Sequence, residues 1–120
     1  MQTFAHTENG IRRVWNVERL WELAATMPVQ DVPLDSISAL DEVTWFSLEP
    51  DYLPTCRRVA EHARRIEQAE WTHPVILSAE GWVMDGMHRV CKAYLLGWKT
   101  VRAVRFAVNP SADEETQIHG

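Results

Sequence analysis

The sequence has no long hydrophobic run. Its longest apolar stretches are a few residues, far short of the ~20 that a membrane span needs. The opening, Met1 to Gly10, is too polar to hold a secretory core, so a cytoplasmic protein with no membrane partner is expected. Cysteine is scarce. Cys56 and Cys91 stand far apart in no metal-ligand spacing, and both are expected as reduced thiols that fill space. Positive charge is in deficit, with 12 Lys and Arg against 17 Asp and Glu and a net charge of -5. That balance disfavours a surface that coats DNA by neutralising phosphates, but it leaves room for one basic pocket. Basic residues do gather locally, in Arg57 to Arg65 and Arg89 to Arg105, while Asp113-Glu114-Glu115 is acidic. Repeats and low-complexity tracts are also missing.

What is present is a foldable chain. Its 120 residues are 46% apolar and include six tryptophans, which fits one globular domain burying roughly two thirds of its unfolded surface. Met1 to Gly10 lacks periodicity and is expected as a loose lead-in, and Ile11 to Trp15 as a short extended piece. Asn16 offers a helix N-cap. Val17, Leu20, Trp21 and Ala24 then share one helical stripe that ends near Met27, before Pro28. Trp15 and Trp21 suit packing better than base stacking. Val29 to Leu34 carries a proline that suits an edge strand. Leu40 to Phe46 is ambiguous between a short helix and a loop that buries Trp45 and Phe46.

Thr55 is expected to cap a helix from Cys56 to about Ala69, with Cys56, Val59, Ala63 and Ile66 as its inward stripe. Arg58, His62 and Arg65 lie on the flank. That flank is either a solvated face with Arg57–Glu61 or Glu61–Arg65 pairs or the basic border of a site. Val75 to Leu77 and Trp82 to Met84 are expected as a hairpin turned at Ser78 to Gly81. A helical run from Val90 to Leu96 closes at Gly97, and Trp98 to Val108 is a last strand whose imperfect alternation points to a bulge or an exposed end. The residues after Asn109-Pro110 are polar and expected as a tail. The resulting division is 1–28 as an extension with one helix, 29–108 as the domain and 109–120 as a flexible tail.

The stretch most suited to chemistry is Asp85-Gly86-Met87-His88-Arg89, between the hairpin and the helix. A turn that leaves a strand and opens a helix presents unpaired amides, which with the helix dipole attract anions. Gly86 would let a ligand approach the backbone around Met87. His88 can donate to a phosphate oxygen and Arg89 can make a two-pronged contact, with Lys92 one turn on adding charge. Asp85 is placed to hold Mg²⁺ or to accept a proton from a hydroxyl. His62, His73 and His88 show no ligand spacing, so a metal centre is not expected.

Across Val29 to Val108, and most strongly in Asp85-Gly86-Met87-His88-Arg89, the chain resembles the ParB/sulfiredoxin family. The resemblance implies an α+β fold, a small mixed sheet with flanking helices, here with an added N-terminal helix. It implies that Gly86, His88 and Arg89 contact nucleotide phosphates, and that Arg58 corresponds to a basic residue which sulfiredoxins carry on the preceding helix. Met87 stands where sulfiredoxins have their catalytic cysteine, which argues against sulfinic acid reduction. The segment after Val108 is too short for the helix-turn-helix module of partition proteins, so DNA is not expected as a direct partner. Closest in pattern are stand-alone relatives with Asp-Gly-x-His-Arg, among them free serine kinases, which implies a catalytic Asp85 with an acid from Asp41, Glu42 or Glu49. The expectation is a protein that binds ATP, ADP or CTP, with Mg²⁺ as a further option, and transfers phosphate to a small hydroxyl acceptor. The alternative is a non-catalytic nucleotide-responsive module for a protein or DNA partner. A homodimer stays open, because the Val17 to Met27 helix could pack in cis or on a second copy.

Overall fold

A computed structural model of the protein, describing residues 2–118, begins with β1 (Thr3–Glu8) and β2 (Ile11–Asn16). These two strands form a hairpin turned at Asn9 and Gly10, both at positive φ. Asn16 then caps α1 (Val17–Ala24), its side-chain oxygen accepting from the amides of Glu18 at 2.9 Å and Arg19 at 3.4 Å. The helix stops one turn short of the expected Met27. After α1 come β3 (Gln30–Pro33), α2 (Cys56–Gln68), β4 (Val75–Leu77), β5 (Val83–Asp85), α3 (Met87–Leu95), β6 (Thr100–Arg105) and β7 (Glu114–Gln117). Among the described residues this is an α+β fold with three α-helices and two small sheets. No helix among them is long and apolar enough to cross a membrane.

The four-stranded sheet has the order β3-β6-β4-β5, with β4 parallel to β6 and the other pairs antiparallel. β6 and β4 are its central strands, and both faces of each are covered. Val75, Leu77, Val101 and Ala103 face a core that includes Val90 and Ala93 of α3, whereas Ile76 and Val104 face a second core with Trp15, Leu20 and Met84. This two-sided burial explains why β6 does not alternate cleanly. Among the described residues the strand pairing shifts register between β4 and β5, at Ile76 and Leu77, and not in β6, where a bulge or an exposed end was expected. β3 is an edge strand, as its proline requires. Leu20 is fully buried in the second core, so α1 packs on its own domain.

Three expectations need correcting. The lead-in and the tail are paired strands: β1, β2 and β7 form one three-stranded sheet, so the segments at 1–28 and 109–120 join in space. Met1, His119 and Gly120, parts of those two expected segments, lie outside the described residues. An ion pair between Arg13 and Glu115 at 3.0 Å and another between Arg19 and Asp113 at 2.6 Å tie the segments together. Next, α2 is rotated from the expected stripe. Cys56, Val59 and Ala63 are exposed, and the residues turned inward are Arg58, His62 and Ile66, each one turn apart. Finally, α3 starts at Met87 rather than Val90, which puts His88 and Arg89 inside its first turn.

Candidate functional site

The site is built at the end of β5. Gly86 adopts φ 101 and ψ 21, a left-handed corner that an L side chain rarely tolerates, and its carbonyl accepts from the Val90 amide at 3.0 Å to open α3. The amides of Met87, His88 and Arg89 find no acceptor among the described residues. They leave a short row of donors at the positive end of the helix dipole, all on half-buried residues.

Gly86 has a second role that its sequence position did not reveal. A Cβ there would lie 2.8 Å from Nη2 of Arg89 and 3.1 Å from Cγ2 of Val75, so the missing side chain makes room for the Arg89 guanidinium. From that position Arg89 donates to Oδ2 of Asp85 at 3.1 Å and reaches the carbonyl of Pro74 at 3.4 Å. The same Oδ2 accepts from Nε1 of Trp21 at 2.8 Å, which binds α1 to the corner. The Asp85 and Arg89 side chains are only 13% and 16% exposed, and Nε of Arg89 is buried without a partner. Among the described residues Oδ1 of Asp85 has no hydrogen-bond partner.

The imidazole of His88 is also engaged. Its Nε2 lies 2.9 Å from Nδ1 of His62 on α2, and the Trp45 indole stacks on both rings with centroids 4.4 Å away. Phe46 meets His62 edge-on. A hydrogen bond between two imidazoles needs one bare nitrogen, so a single proton lies on that line. Burial lowers the His88 pKa from 6.5 to about 4, helped by the nearby positive charge of His62, Arg65 and Arg89. Burial and Arg65 lower His62 too, against the opposing pull of Glu61. Both rings are therefore neutral near pH 7, and His88 can offer a phosphate a neutral donor but no charge.

This pair makes stability depend on pH. A histidine whose folded pKa lies below its unfolded one costs stability as it gains a proton, so the fold is most secure above pH 6.5 and weakens as pH falls toward 4. For a half-buried group, after discounting for solvent screening, the loss should be roughly 1–2 kcal/mol. His88→Gln should flatten this slope in urea melts between pH 6.5 and 4.5, and an unchanged slope would reject the assignment.

The remaining expected phosphate ligands are used elsewhere. Nζ of Lys92 donates to the carbonyls of Glu67 at 2.9 Å and Ala69 at 2.7 Å, satisfying the end of α2. Nη1 of Arg58 donates to the carbonyls of Pro50 and Leu53 and braces the loop before α2. Met87 brings its amide to the row while its side chain packs on the core. Of the three candidate acids, Glu42 shares a cavity of about 210 Å³ with Met87 and Trp82; Asp41 lines a different cavity beside Cys91, and Glu49 is exposed. Burial raises the Cys91 pKa, so that thiol stays protonated and is a poor nucleophile. His73 stacks on Trp21, away from the other two histidines, and no group of three or more potential metal ligands occurs among the described residues.

Trp21 and Trp45 were not recognised as parts of the site, whereas His62 lies on the flank that was one of two readings for its border. The one local signal was the spacing of Arg58, His62 and Ile66, which marks the inward face of α2. No protein-family model, curated protein or solved structure matches the chain.

Proposed function

We propose that the protein is a ParB/sulfiredoxin-like nucleotide-binding protein whose Gly86 corner takes the phosphates of a nucleoside di- or triphosphate. The carrying observation is the row of unpartnered amides from Met87 to Arg89, next to a guanidinium that fills the glycine corner. Arg89 supplies the charge and neutral His88 a further donor. Mg²⁺ would fit the donor set, since it is held by one or two carboxylates plus phosphates, and Oδ1 of Asp85 would hold it. The cation would neutralise charge on the transferring phosphate.

The cavity beside Met87 has room for a small hydroxyl compound, with Glu42 at its edge. In phosphoryl transfer the acceptor hydroxyl gives its proton to Asp85 or Glu42, its oxygen bonds to the terminal phosphorus, and the shortened nucleotide leaves. Positioning and charge neutralisation supply most of the acceleration. The Asp85–Arg89 pair favours a second reading, a non-catalytic switch in which phosphate displaces the carboxylate from Arg89 and signals through Trp21 to α1.

Calorimetry with ATP, ADP and CTP, with and without Mg²⁺, tests both readings. Binding of at least one nucleotide is expected, with Arg89→Lys roughly tenfold weaker because the fork is lost. Absence of heat with all three would overturn the proposal. Asp85→Asn should keep binding and abolish transfer in the enzyme reading; binding without transfer in the unaltered protein selects the switch.

A further inference from the structure

A cavity of about 440 Å³ lies on the other side of Arg89, between the start of β4, the start of β6 and the segment after α2. Its size suits a small-molecule site. Although the chain carries a net charge of -5, no carboxylate lines this cavity, whereas Arg89 and Arg102 both do. Among the described residues Arg102 makes no hydrogen bond or ion pair; even Asp31, its cross-strand neighbour on β3, does not close one. Nε of Arg89 is buried and unsatisfied.

The walls are aromatic. Trp71 and Trp98 lie with ring centroids 4.6 Å apart and are 41% and 45% exposed, large apolar faces left partly open to solvent. Lys92 sits 5.9 Å from the Trp71 ring centre, and the Trp98 backbone amide donates to the Ala93 carbonyl at 3.0 Å. Flat apolar walls with two cationic forks suit a ligand that is planar at one end and anionic at the other.

We propose that this cavity binds a small planar aromatic compound bearing one oxyanion, a carboxylate or a phosphate, with the ring against Trp71 and Trp98 and the anion on Arg102 and Arg89. The site shares Arg89 with the nucleotide corner but is distinguished from it by Arg102, which takes no part in that corner.

Titration of the whole protein with 1-naphthoate, 1-naphthyl phosphate and neutral 1-naphthalenemethanol, followed by ligand-observed NMR, tests this. At least one anion should bind at least tenfold more tightly than the alcohol, and whichever anion does so identifies the oxyanion class. Arg102→Ala, at an exposed strand position, should weaken the anion at least fivefold and leave the alcohol unchanged, while Trp98→Ala should weaken all three probes. Equal binding of anion and alcohol, no binding of either anion at millimolar concentration, or indifference to Arg102→Ala would each overturn the assignment. Arg102→Ala should leave ATP binding unaltered, so failure here is distinguishable from failure of the nucleotide proposal.

Discussion

Arg89→Ala is expected to lower the free energy of unfolding by about 3 kcal/mol, read as a lower urea midpoint at unchanged slope. The reason is the company that Asp85 keeps. Its carboxylate is 13% exposed and has two donors, Arg89 and Trp21. Removing the guanidinium leaves a nearly buried negative charge with one neutral donor, a larger loss than the net worth of the pair. The same substitution empties the space under Gly86. Adding Asp85→Asn to Arg89→Ala should recover at least about 1 kcal/mol, because the amide keeps an acceptor for Trp21 without the stranded charge. A loss below about 1 kcal/mol for Arg89→Ala alone would show the pair to be solvent-screened like an ordinary surface bridge.

That energetic setting bears on ligand binding. A phosphate at the corner must compete with Asp85 for Arg89, or bind while the pair stays intact and draw on the three amides alone. In the first case binding releases Asp85 with its free Oδ1, the state in which it could accept a proton or a cation. In that case the corner would link ligand occupancy to the state of Asp85, whose Oδ2 accepts from Trp21 of α1.

Much of this corner was legible in the sequence because its determinants are local. A short apolar strand, a glycine and a short helical run within twenty residues mark the strand, the turn and the helix, although α3 begins three residues earlier than expected. The caps at Asn16 and Thr55 were legible for the same reason, since each acts on amides two or three residues ahead. What could not be read depends on distant partners. β1 and β7 are largely polar, and their identity as strands comes from β2 lying between them. Lys92 looked like a phosphate ligand because its fate, the carbonyl end of α2, is set by how two helices pack. α2 misled most, because its apolar residues suggested an inward stripe while the structure turns Arg58 and His62 inward to meet a loop and a second histidine.

Gly86→Ala should be the most damaging glycine replacement, and Gly81→Ala shows why by contrast. Both glycines sit at strongly positive φ, 101 and 94, so both variants bear the left-handed backbone cost of roughly 1–2 kcal/mol. At Gly81 nothing lies within 4 Å of the added methyl, and the cost should stop there. At Gly86 the methyl meets Nη2 of Arg89 at 2.8 Å and Cγ2 of Val75 at 3.1 Å. Val75 is buried in the core and cannot give way easily, so the guanidinium must leave and abandon Asp85. Overpacking of this kind adds about 1–3 kcal/mol, for a total near 2–5 kcal/mol. The two penalties are coupled: in an Arg89→Ala background Gly86→Ala should cost distinctly less, because the nearest obstructing atoms are gone. Urea melts of the four proteins in this cycle, with Gly81→Ala alongside, would measure the coupling. Strict additivity, or equal losses at the two glycines, would show that the guanidinium does not occupy the glycine corner in solution.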